Sequence, residues 1–195
     1  MARLIALIAA IVATMAIDRI AMASDGLDPP FAAPSPWMKF CLKTQDIEAK
    51  TICHTGAEVW NRVDDKVVAS VEMIETQGEG KSTLRATFPL GAQLVYGTRL
   101  IVDDKVLQRS AYLSCSKQGC VSEYDISPEI MNSIKAGGRL LAQAISQSGT
   151  PLTATLPLTG FAEAYDGPPS TQTEIERQKQ RSRRWLDDRR WPVRR

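Results

Sequence analysis

At 195 residues the chain has room for one domain with appendages, because a single core takes roughly 100 to 150 residues, and two compact domains are excluded as too cramped. Hydrophobic residues at 44% and charged residues at 24% are ordinary globular values, which excludes a wholly disordered chain. The net charge of +2 is unevenly spread: residues 1–23 carry +1, residues 174–195 carry +5, and the body between them therefore carries −4.

The chain opens with Arg3, an apolar run from Leu4 to Ile17, and Ala21-Met22-Ala23, which has the small-x-small form of a cleavage site. Residues 1–23 read as an export signal removed after Ala23, so the mature protein is expected to be periplasmic or secreted. A membrane anchor is the competing reading. The run is shorter than the ~20 residues that span a bilayer, and Asp18-Arg19 interrupts any extension. In an oxidising compartment the four cysteines can pair permanently, in any of three connectivities. Proximity favours Cys41 with Cys53 and Cys115 with Cys120, each closing a short loop that two adjacent strands can bring within bonding distance.

Residues 24–36 contain Pro29, Pro30, Pro34 and Pro36 and read as a lead-in, since proline lacks an amide donor and biases its predecessor away from helix. From Trp37 to Lys43 large or apolar residues alternate with basic ones, as in a half-buried strand, and Thr51 to Trp60 is its expected hairpin partner. Val67–Thr76 and Thr83–Phe88 read as strands joined by the polar, glycine-containing loop Gln77-Gly78-Glu79-Gly80-Lys81. Pro89 ends the second. Gly91 and Gly97 bracket Ala92 to Tyr96, and Thr98–Val102 resumes the strand pattern up to a turn at Asp103-Asp104. A returning strand, Val106–Cys115, leads through Ser116-Lys117-Gln118-Gly119 to Cys120 and a strand over Val121–Asp125.

One helix interrupts the strands. Ser127 is its N-cap, Pro128 its first residue, Glu129 favours the positive end of the dipole, and Gly137 is placed to serve as C′. Leu140–Ser146 and Leu152–Leu158 follow as strands, and Gly160 to Ala164 closes the domain in a turn or short helix. The fold class expected is mainly all-β: an antiparallel β-sandwich or barrel-like domain of about 8–9 strands over residues 37–165, with one short inserted helix. Residues 166–195 are a Pro/Gly linker and a charged tail with helix-forming composition.

His54 is the only histidine, and zinc needs three or four ligands that bridged cysteines cannot supply. Cys115-x4-Cys120 is wider than the C-x-x-C of thiol oxidoreductases and is flanked by strands, which favours a structural bridge. The chain has no G-x-S-x-G, no G-x-x-x-x-G-K-[ST] and no G-x-G-x-x-G. Asp64-Asp65 and Asp103-Asp104 read as solvated turn residues, because adjacent carboxylates cannot flank a substrate. No catalytic residue, metal or cofactor is assigned. In the tail Arg177, Arg181, Arg183, Arg184, Arg189 and Arg190 interleave with Trp185 and Trp191. That pattern suits an anionic membrane surface or acidic polymer, with the indoles settling at the interface, and the competing reading is a solvated, disordered end, since Asp187-Asp188, Glu174 and Glu176 dilute the charge. Export disfavours nucleic acid as a partner.

In order along the chain stand Trp37-x3-Cys41 with Cys53, then Phe88-Pro89-Leu90-Gly91-x2-Leu94-x2-Gly97-x2-Leu100-x-Val102-Asp103. Cys115-x3-Gly119-Cys120, Lys135-x-Gly137 and Leu158-x-Gly160-Phe161-x2-Ala164 complete the series. On these residues, from about Pro36 to Ala164, the chain resembles the invasion-associated locus B family of exported bacterial proteins. The resemblance implies a soluble or surface-associated β-rich protein, linked by name to host-cell invasion in some pathogens, and supplies no catalytic residues. The tail after Tyr165 departs from the family pattern. The function expected is a non-enzymatic binding role toward a protein or envelope partner, with an envelope hydrolase as the alternative.

Overall fold

A computed structural model of the protein describes residues 32–45, 49–61, 67–177 and 180. The expected export signal, most of the lead-in, Asp64-Asp65 and the tail from residue 181 lie outside the described residues. Eleven strands are described: β1 (Ala32–Pro34), β2 (Met38–Lys43), β3 (Thr51–Asn61), β4 (Val67–Thr76), β5 (Ser82–Phe88), β6 (Thr98–Val102), β7 (Lys105–Ser110), β8 (Tyr112–Ser116), β9 (Gly119–Ile126), β10 (Arg139–Ile145) and β11 (Pro151–Pro157). Two helices, α1 (Pro128–Ala136) and α2 (Phe161–Asp166), accompany them.

The strands form two antiparallel sheets. The larger runs β1-β3-β4-β5-β9-β8, with β2 pairing the first half of β3 and β1 its end, and the smaller runs β11-β10-β6-β7. Alternation decides which side of each strand faces inward. In β4 and β5, Ala69, Val71, Met73, Leu84, Ala86 and Phe88 are buried, while Ser70, Glu72, Arg85 and Thr87 face away. From the smaller sheet Leu100, Leu140, Ala142, Ala154 and Leu156 complete the core. Burying each Val, Leu, Met or Phe among them stabilises by about 1.5–3 kcal/mol and each alanine by less, so the sheets are held chiefly by this shared interior. Two polar contacts cross it. Trp37 Nε1 donates to the Pro157 carbonyl at 2.7 Å, its ring meeting Phe161 edge-on at 4.9 Å, and the Tyr124 and Thr98 hydroxyls hydrogen-bond to each other.

The strand count exceeds the expected 8–9 for two local reasons. The segment read as one strand over 106–115 is two, because the chain pairs with β6 up to Ser110, passes Ala111, and then pairs with β9 in the other sheet. Ala32–Pro34, assigned to the lead-in, adds a short edge strand on β3, where proline's missing donor is tolerated. Ala92 to Tyr96 does not extend as a strand but contains a 3-10 turn, Leu94–Tyr96.

The face assignment of β2 is also reversed. Lys39 is buried, whereas Phe40 and Leu42 are exposed. Trp37 anchored between the sheets and Cys41 directly opposite buried Cys53 fix the register, and with a period of two that puts Lys39 inside. Its ammonium is satisfied there: Nζ donates to the Tyr165 carbonyl at 2.6 Å and lies 3.2 Å from Glu75. In α1 the Ser127 hydroxyl accepts from Ile130 N–H, as a cap should. Gly137, however, sits at φ −77, not in the left-handed C′ conformation. Space is what selects glycine there, because a Cβ would lie 2.5 Å from Val102.

Candidate interaction surface

The loop joining the larger sheet to the smaller is held from both sides. After β5 ends, Ala92 bridges Ser146, Gln93 N–H donates to the Ile145 carbonyl at 2.7 Å, and the Gln93 side chain donates to the Ser146 carbonyl at 3.0 Å. Gln147 N–H returns a bond to the Gly91 carbonyl. The 3-10 turn is closed by Gly97 N–H on the Leu94 carbonyl. Gly97 adopts φ +61, and a Cβ on it would come within 2.3 Å of the Ser110 carbonyl oxygen, so the turn is pressed against the end of β7.

What this clamp holds up is apolar. Leu90, Leu94, Val95 and Tyr96 are 61, 53, 86 and 64% exposed. Leu113, 65% exposed, lies on β8 just beyond the Ala111 crossing that Gly97 approaches. A soluble monomer rarely presents several large apolar side chains together unless something covers them. Here they stand on a backbone held by these four hydrogen bonds and an isolated bridge.

The two sheets differ in charge. The strands of the smaller sheet carry Arg99, Lys105, Arg109 and Arg139 and no carboxylate. The strands of the larger carry three cations, Lys39, Lys43 and Arg85, against five carboxylates, Glu58, Glu72, Glu75, Glu123 and Asp125, a net −2. On the smaller sheet Asp104, from the β6–β7 turn, holds Arg139 at 2.6 Å. Beside it the Asp103 carboxylate accepts from the Gly138 and Arg139 N–H groups, which hold its pKa below the usual value. The turn is the expected hairpin tip, with both aspartates at positive φ. At the other end of the strands Arg99 and Arg109 are directly opposed, Arg99 donating to the Gln143 side chain.

His54 lies on the outer face of the larger sheet. Its ring stacks on Phe40 at 5.1 Å and its Nδ1 sits 3.2 Å from Glu72 Oε1, without the alignment of a hydrogen bond. Arg85 continues the row, 3.7 Å from Glu72 and 2.7 Å from Glu123. Inside, burial pushes the Tyr124 hydroxyl up to about 12, and burial with Glu75 nearby does the same for Tyr165. Among the described residues no group of three His, Cys, Asp or Glu is placed to hold a metal ion, and no helix is long and apolar enough to cross a membrane.

Of the residues singled out in the sequence, Cys41 is bonded to Cys53 and Cys115 to Cys120, each bridge joining directly paired residues of neighbouring strands. Arg177 is exposed in a helical stretch over residues 172–177 that begins with a capping box, Glu174 accepting from Thr171 N–H and Thr171 Oγ1 from Glu174 N–H. Just before it, Ser170 bonds both backbone groups of Lys39 on the free edge of β2. Arg181, Arg183, Arg184, Trp185, Arg189, Arg190 and Trp191 lie outside the described residues. The clamped loop and the opposed arginines were not identified from sequence. The available signal was Leu94-Val95-Tyr96 itself, three consecutive large residues between glycines, which fits neither strand alternation nor a turn of polar residues.

Fold and surface together define a disulfide-bridged β-sandwich with a raised apolar loop at one end. Residues 37–169 match the family described as Invasion associated locus B (IalB) protein, and the chain belongs to that family. Among solved structures it is similar to the crystal structure of invasion associated protein B from Bartonella henselae, at 20% identity and a TM-score of 0.59, covering 76% of this chain and 96% of that one. At that identity the likeness speaks for the fold alone. No curated protein matches the chain.

Proposed function

We propose that the protein is an exported, disulfide-stabilised component of the bacterial envelope or secretome that acts by binding a partner, with the loop over residues 90–96 and the adjoining sheet edge as its contact surface. The observation that carries this reading is the clamp. Residues 91, 93 and 97 all commit backbone hydrogen bonds to keep Leu94, Val95 and Tyr96 in solvent, and a loop without a partner gains nothing from that arrangement. The family's description as invasion associated supports a role in contact rather than metabolism. The apolar character of the first residues, ending in Ala21-Met22-Ala23, supports export.

The alternative, an envelope hydrolase, has one observation in its favour: His54 stands 3.2 Å from Glu72 in the manner of an acid–base couple. Its ring is engaged by Phe40, and the carboxylate is shared with Arg85 in a row across the sheet. Purified mature protein is expected to turn over no ester, glycoside or peptide substrate. Turnover that disappears in His54→Ala contradicts the binding role and establishes the hydrolase.

A further inference from the structure

Arg99 and Arg109 face each other across β6 and β7, an arrangement that is unfavourable for like charges on neighbouring strands. A neighbouring carboxylate would offset such a pair, yet the four strands of this sheet contain none. The Arg99 side chain has only the Gln143 amide oxygen, and the Arg109 guanidinium has no side-chain hydrogen bond or ion pair among the described residues. Asp103 and Asp104 are committed at the opposite end of the strands. The pair therefore lacks an anion, and its rigid guanidinium forks suit phosphate oxygens.

The apolar loop adjoins this pair. Tyr96 precedes Arg99 by three residues, a reach of at most ~10 Å of chain, and Gly97 packs on Ser110, the neighbour of Arg109. A cationic pair beside exposed Leu94, Val95 and Tyr96 matches a surface that is anionic at one depth and hydrocarbon at the next. We infer that this end of the smaller sheet docks on an anionic lipid bilayer, Arg99 and Arg109 engaging headgroup phosphates while Leu94, Val95 and Tyr96 enter the interface. An acidic polysaccharide would satisfy the arginines and leave the loop uncovered. The inference rests on the binding role proposed above and names its partner.

The test measures binding of the full mature chain, tail included, to vesicles of phosphatidylcholine with phosphatidylglycerol at about three in ten lipids, and to phosphatidylcholine alone. Val95→Asp and Arg109→Glu are expected each to weaken binding to the anionic vesicles about tenfold, with unchanged melting, since both side chains project into solvent. Arg109→Glu is also expected to lower the salt dependence of binding. Lys43→Glu makes the same charge change on the other sheet and is expected to leave binding as it was. Parent-like binding by Val95→Asp overturns the inference, as does an equal loss in Lys43→Glu, which would make net charge alone responsible. Parent-like vesicle binding together with lost binding to a purified envelope protein would overturn the lipid assignment while leaving the contact surface in place. Turnover of substrate would instead remove the reading on which both stand.

Discussion

Gly97 couples the exposed loop to the body of the protein, and both of its properties are needed there. Its φ of +61 is a conformation that L side chains rarely adopt, and its missing Cβ leaves room for the Ser110 carbonyl. Gly97→Ala is expected to lower stability by at least about 2 kcal/mol in denaturant unfolding, because strain and overlap act together. A variant as stable as the parent would mean that the turn is not pressed on β7 as described. Residues of this kind are partly legible in the sequence: Gly97 reads as a break, and the 2.3 Å contact that makes it obligatory does not show there. Lys39 shows the opposite case. A lysine in an alternating strand reads as the solvent side, and only the Tyr165 carbonyl and Glu75, 126 and 36 positions away, make its burial tolerable.

Among the elements, the two bridges occupy matching positions. Cys41–Cys53 joins β2 to β3 at one edge of the larger sheet, and Cys115–Cys120 joins β8 to β9 at the other. Each therefore braces an edge hairpin whose outer strand has neighbours on one side only. The loops they close span 12 and 5 positions, so restricting the unfolded chain stabilises by about 3 and about 2 kcal/mol respectively. Replacing both cysteines of a pair by alanine is expected to follow that order in equilibrium unfolding, and a larger loss from the Cys115–Cys120 pair would contradict it. Most elements were legible because their signals are local: alternation in β4, β5 and β11, the Ser127-Pro128 start of α1, the Asp103-Asp104 turn. The break at Ala111 was not, because a chain that leaves one sheet for another keeps its strand composition while its hydrogen-bond partners change.

For the whole molecule, the polarity between a basic and an acidic sheet has a sequence origin that chain order conceals. The strands of the smaller sheet are 98–102, 105–110, 139–145 and 151–157, so their shared lack of carboxylates appears only once the topology is known and the Asp103-Asp104 turn is set apart. Along the sequence the basic tail and the acidic body stand out, but averaging over the body conceals this division. The same averaging hides the proposed contact surface, which draws on residues 90–96 and 113 with Arg99 and Arg109. Amide hydrogen exchange of the mature chain, free and bound to the anionic vesicles, tests the account most directly. Within the β-sandwich it predicts new protection confined to residues 90–97 and 107–113, with β2, β3 and β4 exchanging as in the free protein. Protection centred on the row of Phe40, His54, Glu72 and Arg85, with the loop unchanged, would contradict it.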